Sequence, residues 1–286
     1  MKAKLLSGSE IAAKIKENLK TQVEELKKKY GYAPALSCVQ VGENAASGVY
    51  VKSQAKTAES LGIGFSLQSL PAEIKENDLI DFIKKLNADA KTTAVILQMP
   101  MPKQIDAKKL IHELDPRKDA EGLHPENMGK IVFGDFNIAP CTPMACMELL
   151  GCIGERLYGK EAVIVGHSEI VGKPLALMLL SKFATTTVCH IATGERGILP
   201  EHVNRAEVLI VAVGKAGIIK GEWIKEGAIV IDVGINRVGD KILGDVEFEK
   251  AAERAAYITP VPGGVGPLTV TMLMRNVVEA FKLQRG

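Results

Sequence analysis

Glycines 166 and 172 frame the stretch Ala162–Pro174, AVIVGHSEIVGKP, in an arrangement suited to holding an anion. A short apolar strand runs into a tight turn that Gly166 permits, and a helix opens at Gly172, where the missing side chain allows close approach. Backbone N–H groups at such a helix start attract a phosphate. Gly166, His167, Ser168, Ile170, Val171 and Gly172 therefore form a candidate dinucleotide turn, with Ser168 at the second glycine position of a strict G-x-G-x-x-G. In dinucleotide folds the end of the next strand chooses between NAD and NADP. Here it reads Cys189-His190-Ile191-Ala192-Thr193-Gly194-Glu195-Arg196, with no cation directly after the strand to grip a 2′-phosphate. NAD is the expected cofactor and NADP the alternative. The five cysteines, Cys38, Cys141, Cys146, Cys152 and Cys189, include no C-x-x-C pair, so reduced, packed thiols are expected and no metal site.

These residues need a scaffold, and the apolar pattern predicts one. Ile11, Ile15, Leu19, Val23 and Leu26 fall at helical spacing within residues 9–30, with Lys27–Lys29 in the last turn and Gly31 as the stop. A strand over 35–41, a helix over 45–61, a strand near 65–70, a helix near 77–86 and a strand over 93–97 follow. Residues 114–143, rich in Pro, Gly, Asp and Asn, read as a long functional loop, and a helix over about 143–157 crosses a domain junction. A second series has strands at 162–165, 186–189, 208–213, 228–233 and 256–259, a helix near 172–182 and a final helix over about 268–283. Alternation of this kind predicts an α/β protein with mostly parallel sheets. The 286 residues suffice for two domains, and 47% hydrophobic with 24% charged residues describes a globular chain with a full core. A formal charge of +2 and 5% aromatics argue against nucleic acid as a partner. No apolar run is long enough to span a membrane, and the N-terminus has no signal-peptide core, so the cytoplasm is expected.

Four further stretches resemble the methylenetetrahydrofolate dehydrogenase/cyclohydrolase (FolD-like) family, in that family's order. They are Val41–Val51 (VGENAASGVYV), Val95–Pro102 (VILQMPMP), Asp115–Gly129 (DPRKDAEGLHPENMG) and Thr259–Thr269 (TPVPGGVGPLT), with Asp232–Asn236 (DVGIN) in support. Each taken singly has a plain structural reading: a loop before a helix for 260–267, a cap for Gln98, a loop residue for His124, a core aromatic for Tyr50. The joint pattern carries the resemblance. It implies two α/β domains with a cleft between them: a folate-binding catalytic domain over 1–142, completed by the C-terminal helix at about 268–286, and a Rossmann-like cofactor domain over 143–267. It also implies a homodimer. By the same resemblance Tyr50, Gln54, Gln98 and Glu121 are the catalytic positions, and Tyr50, Gln98, Glu121, Pro262, Gly263 and Gly264 bind substrate. Gly166, His167, Ser168, Ile170, Val171, Gly172, His190, Ile191, Ala192, Gly214, Ile235 and Thr269 bind cofactor.

Oxidation of a methylene carbon between two nitrogens needs mainly positioning, since the nitrogen lone pairs stabilise the cation left behind. Hydrolysis of the methenyl product needs proton management as well. The family places a lysine four residues after the tyrosine, on the same helix face; here that position is Gln54. Lys52 and Lys56 lie two residues away, about 200° around the helix, and point elsewhere. A dehydrogenase with cyclohydrolase lost or weak is expected, served by a separate cyclohydrolase. The second departure is Glu121 in place of the family aspartate, one methylene longer. Rival readings are a bifunctional enzyme, a non-catalytic folate or nucleotide binder, and a dehydrogenase of an amino acid or shikimate-like substrate.

Overall fold

The computed structural model describes residues 3–42 and 45–285; Glu43 and Asn44 of the Val41–Val51 motif lie outside the described residues. In chain order the elements begin β1 (Lys4–Leu5), α1 (Gly8–Tyr30), β2 (Ala35–Val41), α2 (Ala45–Leu61), β3 (Gly64–Leu70), α3 (Glu76–Ala88) and β4 (Ala94–Leu97). Then come α4 (Ala107–Glu113), α5 (Pro125–Phe133), α6 (Cys141–Ile153), β5 (Glu161–Val165), α7 (Gly172–Leu180) and β6 (Thr185–Cys189). They continue with α8 (Ile191–Glu195), α9 (Leu199–Arg205), β7 (Val208–Val211), β8 (Ile229–Asp232), β9 (Asn236–Val238) and β10 (Lys241–Leu243). The last are α10 (Phe248–Arg254), β11 (Tyr257–Ile258) and α11 (Val265–Leu283).

The chain divides into two compact units. One holds Lys14–Cys141 and everything from Val270 onward; the other holds the segment up to Ala13 and Thr142–Thr269. The first has a parallel sheet of order β3-β2-β4. Its core gathers Leu19 and Val23 of α1, Leu36 and Cys38 of β2, Ala58 and Leu61 of α2, Ile96 of β4, and Leu273, Val277 and Val278 of α11. Phe281 of α11 is fully buried and meets the rings of Tyr30 and Tyr32 edge-on. Beyond β4 the backbone at Asp119 pairs in parallel with Val95. Val95 N–H donates to Lys118 O at 2.7 Å and Ala120 N–H to Val95 O at 3.1 Å. Two residues past Asp119 stands Glu121, and three past Val95 stands Gln98, so both arrive at the carboxyl end of the sheet.

The second unit has a six-stranded parallel sheet, β1-β11-β8-β7-β5-β6. Read from β6, five of its strands stand in sequence order 2-1-3-4-5, a doubly wound arrangement whose order reverses between β5 and β7. All four residues of β7 and all four of β8 are buried, as a sheet covered on both faces requires.

Four expectations are corrected. The segment up to Ala13 was assigned to the first domain, yet β1 pairs with β11 and extends the second unit's sheet. Ser9 N–H reaches Gly263 O at 3.3 Å, so the same segment lies on the Pro-Gly run. Residues 114–143 are not all loop. Pro125 at the first helical position, the His124 imidazole accepting Glu126 N–H at 3.1 Å, and Gly134 at φ 70° delimit α5. The following helix ends at Ile153 rather than near Leu157, because Gly154 turns left-handed at φ 76°. The final helix begins at Val265, three residues before Leu268, taking in part of the Pro-Gly run. Among the described residues no helix is long and apolar enough to cross a membrane.

Candidate active site

In the first unit the predicted residues come from three elements. Gln54, on α2, is buried, and its Oε1 accepts from Gln98 Nε2 at 3.0 Å at the end of β4. The Cys38 thiol of β2 leans on the same oxygen at 3.9 Å, and burial pushes that thiol up to about 11, so it stays protonated. Cys38 was read as ordinary core, and nothing in its sequence context signals its place beneath the glutamine pair. Tyr50, one helical turn before Gln54, is 54% exposed, which leaves its hydroxyl open to a ligand. The paired amides leave Gln54 Nε2 to donate and Gln98 Oε1 to accept.

Glu121 is held by the turn that Asp119 organises. The buried Asp119 carboxylate accepts from the N–H groups of Glu121 (3.2 Å), Gly122 (3.0 Å) and His124 (2.7 Å), and from Asn127 Nδ2 (3.0 Å). Burial raises Asp119 above the ordinary carboxylate range against these donors. Gly122 is required here, at φ 70° with Ala139 backbone 2.3 Å from where a Cβ would stand. Burial, then the charge of Asp119, push the Glu121 carboxyl up to about 8, so at neutral pH it is mostly a carboxylic acid.

Three lysines could be asked to replace the missing ammonium. Lys52 and Lys56 are exposed on α2, whereas Gln54 is buried. Lys118 Nζ donates to Leu86 O at 2.9 Å and Asp89 O at 2.7 Å, closing the end of α3. Burial lowers its pKa.

In the second unit a cavity of about 850 Å³ opens where the strand order reverses. Gly166, His167, Ser168, His190 and Ile191 of the predicted set line it, as does Glu195, the one acidic residue after β6 that could meet a ribose, together with Lys215 and Trp223, which nothing in the sequence pattern marked. The turn fits a dinucleotide phosphate. Gly166 has φ 126°, and a Cβ there would stand 2.3 Å from Ala212 O; one at Gly172 would stand 2.0 Å from Gly166 O. Helix start and strand end are therefore as close as backbone allows. Ser168 Oγ accepts Val171 N–H at 3.1 Å, so it closes the turn. Ile170, Val171, Gly172, Ala192, Gly214 and Thr269 are not among the lining residues. Ile235 joins Pro262, Gly263 and Gly264 around a separate cavity of about 130 Å³, and Thr269 spends its hydroxyl on Val265 O at 3.3 Å.

Two buried aspartates fix the loops around these cavities. Asp245 Oδ2 accepts the N–H groups of Val213 (2.8 Å) and Gly214 (2.9 Å), and its Oδ1 those of Lys215 (2.8 Å) and Asn236 Nδ2 (2.8 Å). Asp232 accepts from Gly234 (2.9 Å), Asp245 (3.0 Å) and Val246 (2.9 Å), and burial pushes it up to about 6. Asp232 N–H in turn donates to Thr259 Oγ1 at 2.8 Å, at the root of the Pro-Gly run. Among the described residues no three His, Cys, Asp or Glu side chains gather as a metal site.

A doubly wound unit with a glycine turn and a cavity at its switch point, in one chain with an α/β unit that carries polar side chains at its sheet end, defines a two-domain nucleotide-binding enzyme class. Residues 6–121 match the catalytic domain of the tetrahydrofolate dehydrogenase/cyclohydrolase family, and residues 140–285 match its NAD(P)-binding domain. The chain belongs to that family. The bifunctional protein FolD of Geotalea uraniireducens is 50% identical over 98% of this chain and 99% of its own. The crystal structure of the bifunctional FolD methylenetetrahydrofolate dehydrogenase/cyclohydrolase from Campylobacter jejuni is 42% identical, covers 99% of both chains and superposes with a TM-score of 0.95. The Trypanosoma brucei FolD, complexed with NADP and an inhibitor, is 38% identical over 100% of this chain and 99% of its own, with a TM-score of 0.94.

Proposed function

We propose that this chain is an NAD-linked dehydrogenase that oxidises 5,10-methylenetetrahydrofolate to the methenyl form and has lost, or nearly lost, the cyclohydrolase step. The observation that carries the reading is the Gln54–Gln98 pair: a neutral amide, hydrogen-bonded at 3.0 Å, stands where the family resemblance calls for a lysine. Tyr50 offers an exposed phenol to the folate ring system, and Gln54 Nε2 and Gln98 Oε1 hold its polar edge. Glu121 accepts from the pteridine N–H donors once ionised. Pro262, Gly263 and Gly264 remain substrate-binding positions of the proposal on the family resemblance alone.

The cofactor residues of the proposal are the 166–168 turn, Gly172 at the helix start, His190 and Ile191, and the loop that Asp245 pins at 213–215. When bound there, NAD supplies the hydride acceptor. Lack of a lysine or arginine directly after β6 supports NAD over NADP. Positioning of this kind suffices for hydride transfer. Hydrolysis asks for a proton to be moved near the attacked carbon, and an amide does not titrate. Losing such a group costs roughly 10²–10⁴-fold.

The second reading, a bifunctional enzyme, is favoured by Glu121. Its carboxyl, pushed up to about 8, titrates where a general acid–base group works. Purified protein given methenyltetrahydrofolate alone separates the two: hydrolysis at the buffer rate supports the proposal, and hydrolysis at the rate of hydride transfer overturns it. A homodimer in the cytoplasm, feeding its product to a separate cyclohydrolase, completes the proposal. Sedimentation at micromolar concentration tests the dimer.

A further inference from the structure

Around Gln54 the charges are of one sign. Gln54 and Gln98 are both buried, and their bonded amides are neutral. Three titratable groups of the first unit show which charges reach this sheet end. The Cys38 thiol, against Gln54 Oε1, is raised by burial and then by the charge of Glu121. Glu121 is raised by burial and then by the charge of Asp119. Cys141, at the start of α6, is raised by burial and then by Glu121 and Asp119. The charges acting on all three are carboxylates, and no lysine or arginine acts on any of them. Lys52 and Lys56 are exposed on α2, and Lys118 Nζ is spent on Leu86 O at 2.9 Å and Asp89 O at 2.7 Å. An ammonium at position 54, which the family resemblance calls for, would be the cation of this site. The chain has an amide there instead.

Departure of the hydride turns an uncharged methylene bridge into a methenyl bridge whose positive charge is shared by two nitrogens. The rest of the folate keeps its charge. A cation at position 54 repels that product, a neutral amide does not, and an ionised Glu121 attracts it. The exposed ring of Tyr50 acts in the same sense, because an aromatic face attracts a cation. We infer that this site binds the methenyl cation in preference to uncharged-bridge folates, with Gln54 as the specificity-determining residue, so that the chain holds its own product. The inference rests on the proposed placing of folate at Tyr50, Gln54, Gln98 and Glu121. One substitution then has two effects: it removes a group that moves a proton, and it removes the charge that expels the cation. Oxidation by this chain is slowed by its product until a hydrolase takes the methenyl form away.

The test is a charge series at position 54 in the whole protein, at about pH 7, where unperturbed lysine and glutamate are both ionised. Inhibition constants of methenyltetrahydrofolate and of tetrahydrofolate are read from initial rates against methylenetetrahydrofolate at saturating NAD. The two inhibitors share ring system and tail and differ at the bridge, so the methenyl-to-tetrahydrofolate ratio isolates the bridge charge. In the native chain methenyl is expected to inhibit at the lower concentration. Gln54→Lys should raise the ratio about fivefold or more, and Gln54→Glu should lower it, as opposite charges near the bridge require. Gln54→Met, neutral and of similar length, should leave the ratio near its native value whatever happens to each constant. A disturbance of packing moves the lysine and glutamate variants alike, whereas charge moves them in opposite directions. Ratios that move the same way in both, or in neither, overturn the inference, and so does tighter binding of tetrahydrofolate to the native chain. Inhibition by neither folate overturns the folate reading itself. Rapid loss of methenyl on the native chain overturns the proposed loss of hydrolysis.

Discussion

In the proposed function, Gln54 is the side chain on which the loss of hydrolysis turns. It is buried against Cys38 and bonded to Gln98, so a lysine built in its place would put an ammonium in a poorly solvated spot, which lowers its pKa toward neutrality. Gln54→Lys is expected to raise methenyltetrahydrofolate hydrolysis by roughly 10²-fold or more; an unchanged rate would assign the loss to something other than this residue. Glu121 gives a second prediction at the same scale. Its folded-state carboxyl is raised from 4.5 to about 8, so its contribution to stability is full below about pH 4.5 and is lost as pH rises through about 8. Glu121→Gln removes that charge and should raise Tm more at about pH 8.5 than at about pH 5. Equal shifts at the two pH values would show that the carboxyl titrates normally. Substrate binding should strengthen from neutral pH upward in the native chain, as the carboxylate forms, and stay flat in the variant. Tyr50 and Gln98 were named because their types and spacing are those of a known pattern, and Gln54 because it stands where that pattern has lysine; the folded chain brings the two glutamines together. Cys38 and Asp119 were not, since an apolar strand cysteine and a loop aspartate reveal nothing of what they face until the chain is folded.

At the level of elements, periodicity was informative wherever an apolar stripe was long. The helix over 9–30, the strand over 35–41 and the five-strand series of the second half all appear within a few residues of the pattern. Short elements escaped because their signals are caps rather than stripes. Asp106 accepts Lys108 N–H at 2.9 Å to start α4, and the His124-Pro125 pair starts α5 inside a segment whose Pro, Gly and Asp content reads as loop. The two-residue β1 has no period at all; its place is fixed by pairing with β11, some 250 positions away. The hydrogen bonds to Asp245 belong at this scale too. That carboxylate ties the 213–215 loop to β9, and charge-assisted bonds of this type are worth about 1.5–3 kcal/mol each. Asp245→Asn keeps the shape but loses an acceptor oxygen and adds a donor facing backbone N–H groups. The expected kinetic signature is a several-fold rise in cofactor KM with a smaller change in kcat. A fall in kcat alone would place Asp245 outside cofactor positioning.

For the molecule as a whole, the two-unit division followed from the break in alternation, but the chain crosses between units more often than the sequence suggested. Residues up to Ala13 serve the second sheet, and α11 returns to the first unit, where Asn276 Nδ2 holds Ala120 O at 2.8 Å and Ala139 O at 2.9 Å. That bond pair links the last helix to the backbone beside Glu121. Removing residues 270–286 should therefore leave the first unit unfolded and protease-sensitive, with Phe281→Ala alone costing about 3–5 kcal/mol; a truncated chain with native-like protease resistance would contradict the account. The central claim concerns the reaction, and one assay tests it most directly. Protein is mixed with methylenetetrahydrofolate and NAD, and reduced cofactor and methenyltetrahydrofolate are followed together. The account predicts that the two rise in step, because nothing in the chain removes the methenyl product faster than buffer does. Reduced cofactor that accumulates while methenyl stays at its uncatalysed level would show that hydrolysis proceeds without a lysine at position 54, and would contradict it.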